Sequence, residues 1–96
     1  MRWRLRTKIW LWPGEAPWHF ATVPKNLADG IRSLSEGMRS PTGSVRVIVT
    51  AKRETWRTSL FPTKEKTYLL PIKAAVRKKA KIGVGGSVLF TLELEG

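Results

Sequence analysis

The chain has 96 residues, of which 42% are apolar and 26% are charged, a size and balance typical of one small globular domain and incompatible with an intrinsically disordered chain. It has no cysteine, which excludes disulfide scaffolds, thiolate zinc sites and cysteine nucleophiles. Its 18 Lys and Arg residues against 7 Asp and Glu residues give a net charge of +11, which favours polyanionic partners.

The first half of the chain predicts two strands, a helix and a third strand. Residues 2–12 alternate between the two faces of a strand. A second strand is predicted at 17–23, and Pro24 suits the start of a short amphipathic helix that Gly30 weakens. The third strand is predicted at 44–52, after a polar loop. On strand one, Trp3, Leu5, Thr7, Ile9 and Leu11 fall on the side expected to face the core, and Arg2, Arg4, Arg6 and Lys8 fall on the other.

The second half of the chain repeats this order. Strands are predicted at 55–61 and 67–70, each ended by a proline, and a helix is predicted at 72–81. The glycines between residues 83 and 86 are expected to stop that helix and to turn the chain into a last strand at 87–95. They follow a helix and precede a strand, which is the reverse of the order in a phosphate-binding loop.

Matching Pro and Gly positions indicate that the two halves are pseudo-repeats, over residues 2–52 and 55–95, within a single domain spanning 1–96. Such a unit cannot cover its own apolar face, so two copies are expected to pack together. The sequence therefore predicts a mainly β fold, a closed six-stranded β-barrel of double-psi-like pseudo-twofold topology (β-β-α-β twice) with two short helices. The alternative is that Pro and Gly punctuate any small β-rich chain in this way. The matched segments are Leu11-Trp12-Pro13 with Leu60-Phe61-Pro62, Val23-Pro24 with Leu70-Pro71, and Gly43-Ser44-Val45 with Gly86-Ser87-Val88.

Residues with catalytic potential are few, and we expect no catalytic site, no cofactor and no metal. His19 is the only histidine, so a two-histidine metal site is excluded. A Ser-His-Asp arrangement would have only His19 and Asp29 to use, and no serine has a nucleophile-elbow sequence around it. We expect His19 to be a strand histidine at or near the surface. Glu93 and Glu95 share a strand face, where we expect them to meet Lys or Arg of a neighbouring strand.

Basic residues are the strongest functional signal. Alternate residues of a strand lie about 6.7 Å apart, so the four cations of strand one form a ladder. On the second helix, Lys73, Arg77 and Lys81 are predicted to stack at i, i+4 and i+8, where like charges repel. Either an anionic partner or solvent and salt relieves this repulsion, and both interpretations stay open.

Five tryptophans are many for this length. Trp10 and Trp12 fall on the side of the ladder, where either a helix covers them as a cap of the barrel or they offer exposed rings for base stacking. Capping is the interpretation favoured here, and Trp18 and Trp56 are expected to pack in the barrel wall. The candidate nucleic-acid contacts are Arg2, Arg4, Arg6, Lys8, Trp10, Trp12, Lys78 and Lys81.

Three segments and the tail of the chain carry a resemblance to a known family. They are APWHFATVP at 16–24, TSLFP at 58–62, YLLPIKAAVRK at 68–78 and VLFTLEL at 88–94. In this order they resemble the bacterial domain of unknown function 1905 family, whose members are small closed β-barrels with two helices. The resemblance implies that fold and no activity, since the family has none established. Gly86 stands where relatives usually have an acidic residue.

The motifs that carry this resemblance place polar groups beside structural ones. If strand four and the second helix belong to one half, then Thr58, Ser59, Lys73 and Arg77 converge on an anion-binding cleft, with two cations and two hydroxyl donors. The alternative is that these groups satisfy backbone atoms at strand and helix ends.

Three functions therefore remain open at the level of sequence. The favoured one is a non-enzymatic binding module for nucleic acid or another polyanion. A small-molecule-binding domain or unrecognised enzyme, and a protein–protein assembly module, are the alternatives. No apolar stretch approaches the roughly 20 residues that a membrane span needs, and the first residues alternate where a signal peptide is apolar. We therefore expect a cytoplasmic protein without a membrane partner, of undetermined oligomeric state.

Overall fold

The structure, a computed structural model, describes residues 1–14 and 17–95 of the chain. Ala16, the first residue of the segments that carry the family resemblance, lies outside the described residues. Seven strands and two helices are found within the described part. They are β1 (Arg2–Lys8), β2 (Trp10–Leu11), β3 (His19–Val23), α1 (Lys25–Leu34), β4 (Val45–Ala51), β5 (Glu54–Pro62), β6 (Tyr68–Pro71), α2 (Ala74–Ala80) and β7 (Ser87–Leu94).

The strands form one nearly closed, barrel-like sheet in the order β1-β7-β4-β5-β6-β3-β2. The ladders between these strands are antiparallel. Only Ile9 separates β1 from β2, so the two ends of the sheet are consecutive segments of the chain, and β1 also contacts β3. The prediction of a mainly β, barrel-like fold with two helices is therefore confirmed.

The number of strands differs from the six predicted, because the first predicted strand divides at Ile9. Ile9 is buried and forms an isolated parallel bridge with Val84 in the loop after α2. Before it, β1 pairs with β7; after it, β2 pairs with β3. At the closing edge of the sheet, the chain thus changes its partner strand from β7 to β3, and the hydrogen-bonded pairing is interrupted at Ile9.

Strict alternation of side chains builds the core. On β4, Val45, Val47 and Val49 are buried while the residues between them are exposed or half-buried. On β7, Val88 and Phe90 lie inside the barrel in the same way. Because successive side chains of a strand point to opposite faces, these apolar side chains share the inner face of the sheet. The buried apolar set is Leu5, Ile9, Ala21, Val23, Ala28, Ile31, Val45, Val47, Val49, Ala51, Leu60, Tyr68, Leu70, Ile72, Ala80, Ile82, Val88, Phe90 and Leu92.

The helix α1 begins after Pro24, as predicted, and buries Ala28 and Ile31. The helix α2 is shorter than the predicted 72–81. Lys73 is its N-terminal cap, and the chain leaves the helix at Lys81, whose left-handed backbone (φ 56°) ends the hydrogen-bonded turns. The expectation that the following glycines stop the helix is therefore wrong, because a lysine adopts the left-handed conformation that glycine usually supplies.

Gly30 gives a test of the packing between α1 and the barrel. A Cβ atom at this position would lie 3.4 Å from Trp3 Nε1, an ordinary contact. Since glycine inside a helix costs about 0.5–1 kcal/mol relative to alanine, we expect Gly30→Ala to raise the free energy of unfolding by about that amount. Urea denaturation followed by circular dichroism measures it, and a destabilised variant would contradict this placement of Trp3.

At Gly43 we expect a substitution by alanine to destabilise the protein. Its φ is +88°, and a Cβ there would lie 3.2 Å from Pro62 Cγ, so Gly43→Ala is expected to lower the free energy of unfolding by about 1–2 kcal/mol. Gly37→Ala is the matched control, because Gly37 has a φ of +82° but no atom within 4 Å of the added Cβ. Equal losses in the two variants would show that the contact with Pro62 contributes nothing.

Candidate functional site

The outer face of β1 carries a row of cations. Arg2, Arg4, Arg6 and Lys8 are exposed and alternate with the inward residues of the same strand, as predicted. Opposite them across the ladder, β7 offers Glu93 to Arg2, and the Arg2 Nε to Glu93 Oε1 distance is 3.0 Å. Arg2, the first of these four cations, is therefore paired with a carboxylate.

The carboxylate of Glu95, the residue directly after β7, pairs with two further arginines. Glu95 lies 3.3 Å from Arg46 Nε and 3.6 Å from Arg57 Nε. This confirms the expectation that Glu93 and Glu95 meet cations of neighbouring strands. Exposed pairs of this kind contribute about 0–1 kcal/mol each, so their main effect is on local charge.

Three cations of the row have no such partner. Within residues 1–14 and 17–95, no carboxylate lies within 4.0 Å of the charged nitrogens of Arg4, Arg6 or Lys8. Their cross-strand neighbours on β7 are Thr91, Leu89 and Ser87. We call Arg4, Arg6 and Lys8 the cation row.

Aromatic rings continue the line of the cation row along the chain. Trp10 and Trp12 follow Lys8 at alternate positions, and Phe20 lies across the β2–β3 ladder from Trp10. The ring centroids of Trp10 and Trp12 are 5.8 Å apart, and those of Trp10 and Phe20 are 5.5 Å apart. Trp10 Nε1 donates a hydrogen bond to Thr22 Oγ1 at 2.8 Å, which fixes this indole on the outer wall.

Trp12 does not cap the barrel under a helix, so the favoured interpretation of it is wrong. It is 47% exposed, and the described residues that line the depressions beside it belong to strands and loops. Trp10 is half-buried, and its ring contacts those of Trp12 and Phe20. Trp12 is therefore available at the surface, and together with Trp10 it lines a depression that also contains Lys64 and Glu65.

The exposed aromatic area extends beyond Trp12. Trp18 is 57% exposed and Phe61 is 46% exposed, and the Trp18 ring stacks on Phe20 with centroids 6.4 Å apart and planes 11° apart. The expectation of barrel-wall packing is thus wrong for Trp18 and confirmed for Trp56, which packs against the core. The residues that line a shallow depression of about 400 Å³ here, which we call the aromatic surface, are Trp12, Trp18, Phe20, Phe61, Leu69 and Pro71.

The cleft predicted from Thr58, Ser59, Lys73 and Arg77 does not form as one site. Thr58 is only 6% exposed and points into the barrel, opposite Val47. Ser59 points to the outer face, where its Oγ accepts a hydrogen bond from Arg46 Nη1 at 3.2 Å. Neighbouring residues of a strand face opposite sides, so the two hydroxyls are separated by the sheet itself.

Lys73 and Arg77 do share a cleft, but with other residues. It lies where the start of β3 meets the start of α2 and has a volume of about 360 Å³. Ile72 N donates to His19 O at 2.9 Å, which holds the two elements together. We call this cleft the α2 cleft. Its lining residues are Pro17, Trp18, His19, Pro71, Ile72, Lys73, Ala74 and Arg77.

Hydrogen bonds orient two polar side chains of the α2 cleft. Arg77 Nη1 donates to Ile72 O at 2.6 Å, which leaves the other guanidinium donors unused by that bond. His19 Nδ1 lies 2.8 Å from Pro17 O, and since a carbonyl only accepts, Nδ1 carries the proton. The second nitrogen of the neutral ring, Nε2, is then a hydrogen-bond acceptor for a ligand.

The remaining basic candidates lie on a different element from the cation row. Lys78 is exposed on α2, and Lys81 is the exposed left-handed residue that ends it. The predicted stack of Lys73, Arg77 and Lys81 on one helix is wrong, because the first and last of these cap the helix and only Arg77 lies within it.

Two kinds of site are not found in the described part of the chain. No group of three or more His, Asp or Glu side chains among residues 1–14 and 17–95 could hold a metal ion. Neither α1 nor α2 has the length and apolar character of a membrane-spanning helix, so the described residues contain no such helix.

Comparison with known proteins agrees with the resemblance. No curated protein matches the chain. The sequence profile described as "Domain of unknown function (DUF1905)" matches residues 6–92, which cover most of the chain, including the cation row in part, the aromatic surface and the α2 cleft. The protein therefore belongs to the DUF1905 family.

Proposed function

We propose that the protein binds single-stranded nucleic acid along the outer face of β1 and β2, without catalysing a reaction. The observation that carries this proposal is that Trp10 and Trp12 follow the cation row at alternate positions, beyond the buried Ile9 that divides β1 from β2. Phosphates would contact the cations and bases would stack on the rings. A positively charged track beside exposed aromatic side chains is the arrangement that single-stranded nucleic acid prefers.

The charges of this face support binding of a polyanion. The protein carries a net charge of +11, and the carboxylates of β7 and the residue after it are already paired with Arg2, Arg46 and Arg57. Alternate residues of a strand are about 6.7 Å apart, so the row holds three like charges at close quarters. A nucleic acid would neutralise them and release its own counterions, which is the main source of affinity in such complexes.

The aromatic rings favour a single strand over a duplex. Bases in a duplex are stacked on each other, whereas those of a single strand can stack on exposed side chains. Trp12 is about half exposed, and its neighbour Trp10 is held in place through Thr22. Rings fixed in advance lose less entropy on binding, and each base–aromatic stack contributes about 1–3 kcal/mol.

The absence of catalysis in this proposal rests on the few residues with suitable chemistry. The only carboxylate that a histidine-based triad would have used, Asp29, lies on α1 with Arg32 Nη1 at 2.8 Å and Lys25 Nζ at 3.7 Å. Asp29 is therefore occupied by cations of its own helix. We also propose a cytoplasmic location, where a nucleic acid is accessible.

An assembly module is the second candidate function, and the exposed aromatic surface favours it. Apolar rings in one area are also typical of protein–protein interfaces. The two candidates differ in what covers Trp12. A stable oligomer in size-exclusion chromatography that Trp12→Ala converts to a monomer would support assembly, and a monomer at all concentrations would support the nucleic-acid proposal.

We propose further that the barrel has double-psi-like topology, built from the pseudo-repeats 2–52 and 55–95. Equivalent ladders support this: β1 pairs with β7 as β5 pairs with β4, and β2 pairs with β3 as β5 pairs with β6. Thr7 pairs with Val88, and Leu60 pairs with Val45. Since Val45 and Val88 are matched positions of the two pseudo-repeats, Leu60 would correspond to Thr7. The match of the proline-ended segments aligns Leu60 with Leu11 instead.

The proposed phosphate contacts of the cation row predict how strongly binding depends on salt concentration. With three phosphate contacts, the slope of log K against log salt concentration for a fluorescent oligothymidylate is expected to be about −2. Arg4→Ala combined with Arg6→Ala removes two contacts and should reduce the magnitude of this slope by about 1.4. Fluorescence anisotropy over a series of salt concentrations measures both.

The matched control for this double variant is Lys25→Ala combined with Lys79→Ala. It removes the same charge from exposed positions on the two helices, where Lys25 pairs with Asp29 and Lys79 with Glu54. The control is expected to keep the slope of the unmodified protein. Equal changes in the two double variants would mean that net charge alone drives binding and would contradict a site on β1.

The aromatic rings make a separate prediction. Trp12→Ala is expected to weaken oligothymidylate binding by about 5- to 150-fold at fixed salt, since one stack contributes about 1–3 kcal/mol. The slope against salt should not change, because no phosphate contact is lost. Trp12→Phe keeps a ring and is expected to restore most of the affinity. Unchanged affinity in Trp12→Ala would overturn the stacking part of the proposal.

A further inference from the structure

The α2 cleft combines two cations, and none of its lining residues that the structure describes is acidic. Lys73 is exposed at its edge and Arg77 is half-buried in its wall, and neither has a carboxylate within 4.0 Å in the described part of the chain. The one hydrogen bond that Arg77 makes to Ile72 O orients the guanidinium without neutralising it. Positive charge at the wall of a cleft without a counter-charge favours an anionic ligand.

An unused imidazole nitrogen lies in the same cleft. His19 Nδ1 donates to Pro17 O, so the imidazole is held in one orientation, and Nε2 of the neutral ring remains as a hydrogen-bond acceptor for a ligand hydroxyl. The α2 cleft therefore combines this acceptor on β3 with two cationic donors, Lys73 and Arg77, at the start of α2. The two cations match the oxygen atoms of a phosphate, and the acceptor matches a hydroxyl group on the same ligand.

The rest of the cleft wall is apolar and includes an exposed indole. Trp18 lines both the α2 cleft and the aromatic surface, and Pro71 is shared in the same way. The volume of about 360 Å³ lies within the range of small-molecule sites. A ligand that carries a planar ring beside its anionic group could therefore place the ring against Trp18 and the anionic group at Lys73 and Arg77.

We propose that the α2 cleft binds a nucleoside phosphate, with the base against Trp18, the phosphate at Arg77 and Lys73, and a ribose hydroxyl donating to His19 Nε2. This site lies on the other side of Trp18 from Trp12 and uses none of the cation row. Its ligand chemistry has two sources, a free mononucleotide or the phosphorylated end of a nucleic-acid strand. The second source rests on the proposed function, and the first does not.

The test compares three probes with the intact chain. Isothermal titration calorimetry gives the Kd of adenosine monophosphate, adenosine and inorganic phosphate. We expect adenosine monophosphate to bind at least tenfold more tightly than either of the others, because only it reaches both the indole and the cations. Equal affinities for the three probes, or no binding of adenosine monophosphate at millimolar concentration, would overturn the proposal.

Variants then assign the contacts. Lys73→Ala and Trp18→Ala are expected to weaken adenosine monophosphate binding at least fivefold. Both side chains are exposed, so the variants should fold, whereas Arg77→Ala also loses the bond to Ile72 O and needs a denaturation curve beside it. Lys25→Ala on α1 is the control and should bind as the unmodified protein does. Unchanged affinity in Lys73→Ala would overturn the placement of the phosphate.

The two sources are separated in the Arg4→Ala and Arg6→Ala double variant. Adenosine monophosphate is expected to bind it with unchanged affinity, which keeps this inference distinct from the proposed function. If a 5′-phosphorylated oligothymidylate binds the double variant more tightly than the 5′-hydroxyl form, and Lys73→Ala removes the difference, the cleft takes a strand end. If the phosphate adds nothing while adenosine monophosphate binds, the ligand is a free nucleotide.

Discussion

The ladder between β4 and β7 is the pairing on which the rest of the structure depends. It sets Val49 opposite Leu92 at the centre of the barrel and joins the sheet of β1 and β7 to that of β4 and β5. Antiparallel register decides which residues of each strand face inward, and a shift by one residue would exchange the two faces. The cations of β1 are on the outside because the register of this ladder and its neighbour places Leu5 and Phe90 inside.

The outside of the barrel is divided into two chemically different walls. The outer positions of β1 are cationic, and Arg46 of β4 and Arg57 of β5 add two further cations, so that Arg2, Arg46 and Arg57 pair with two carboxylates. Around β2, β3 and β6 the outer positions are aromatic or apolar, and the Trp10 indole is tied down by Thr22. The two walls meet between Lys8 and Trp10, and the proposed strand of nucleic acid would cross this boundary. The α2 cleft lies beyond the aromatic wall, with Trp18 between them.

Much of the fold could be predicted from the sequence because strand alternation is a local property. The inward valines of β4, the start of α1 after Pro24 and the outward cations of β1 all follow from neighbouring residues. The division of the first strand at Ile9 could not be predicted, since it depends on Val84 approaching from the far end of the chain. Burial of Thr58 and exposure of Trp18 likewise depend on which strands lie beside them.

The sequence by itself determined the buried faces of β1 and β4, the positive charge and the family, because each is carried by residue type and order along the chain. Only the tertiary structure decided which groups share a site. It separated Thr58 from Ser59 by the thickness of the sheet and brought His19 beside Lys73 and Arg77 through the bond from Ile72 N to His19 O. Contacts between residues more than fifty positions apart arise from how strands close into a barrel, and a local pattern carries no record of that closure.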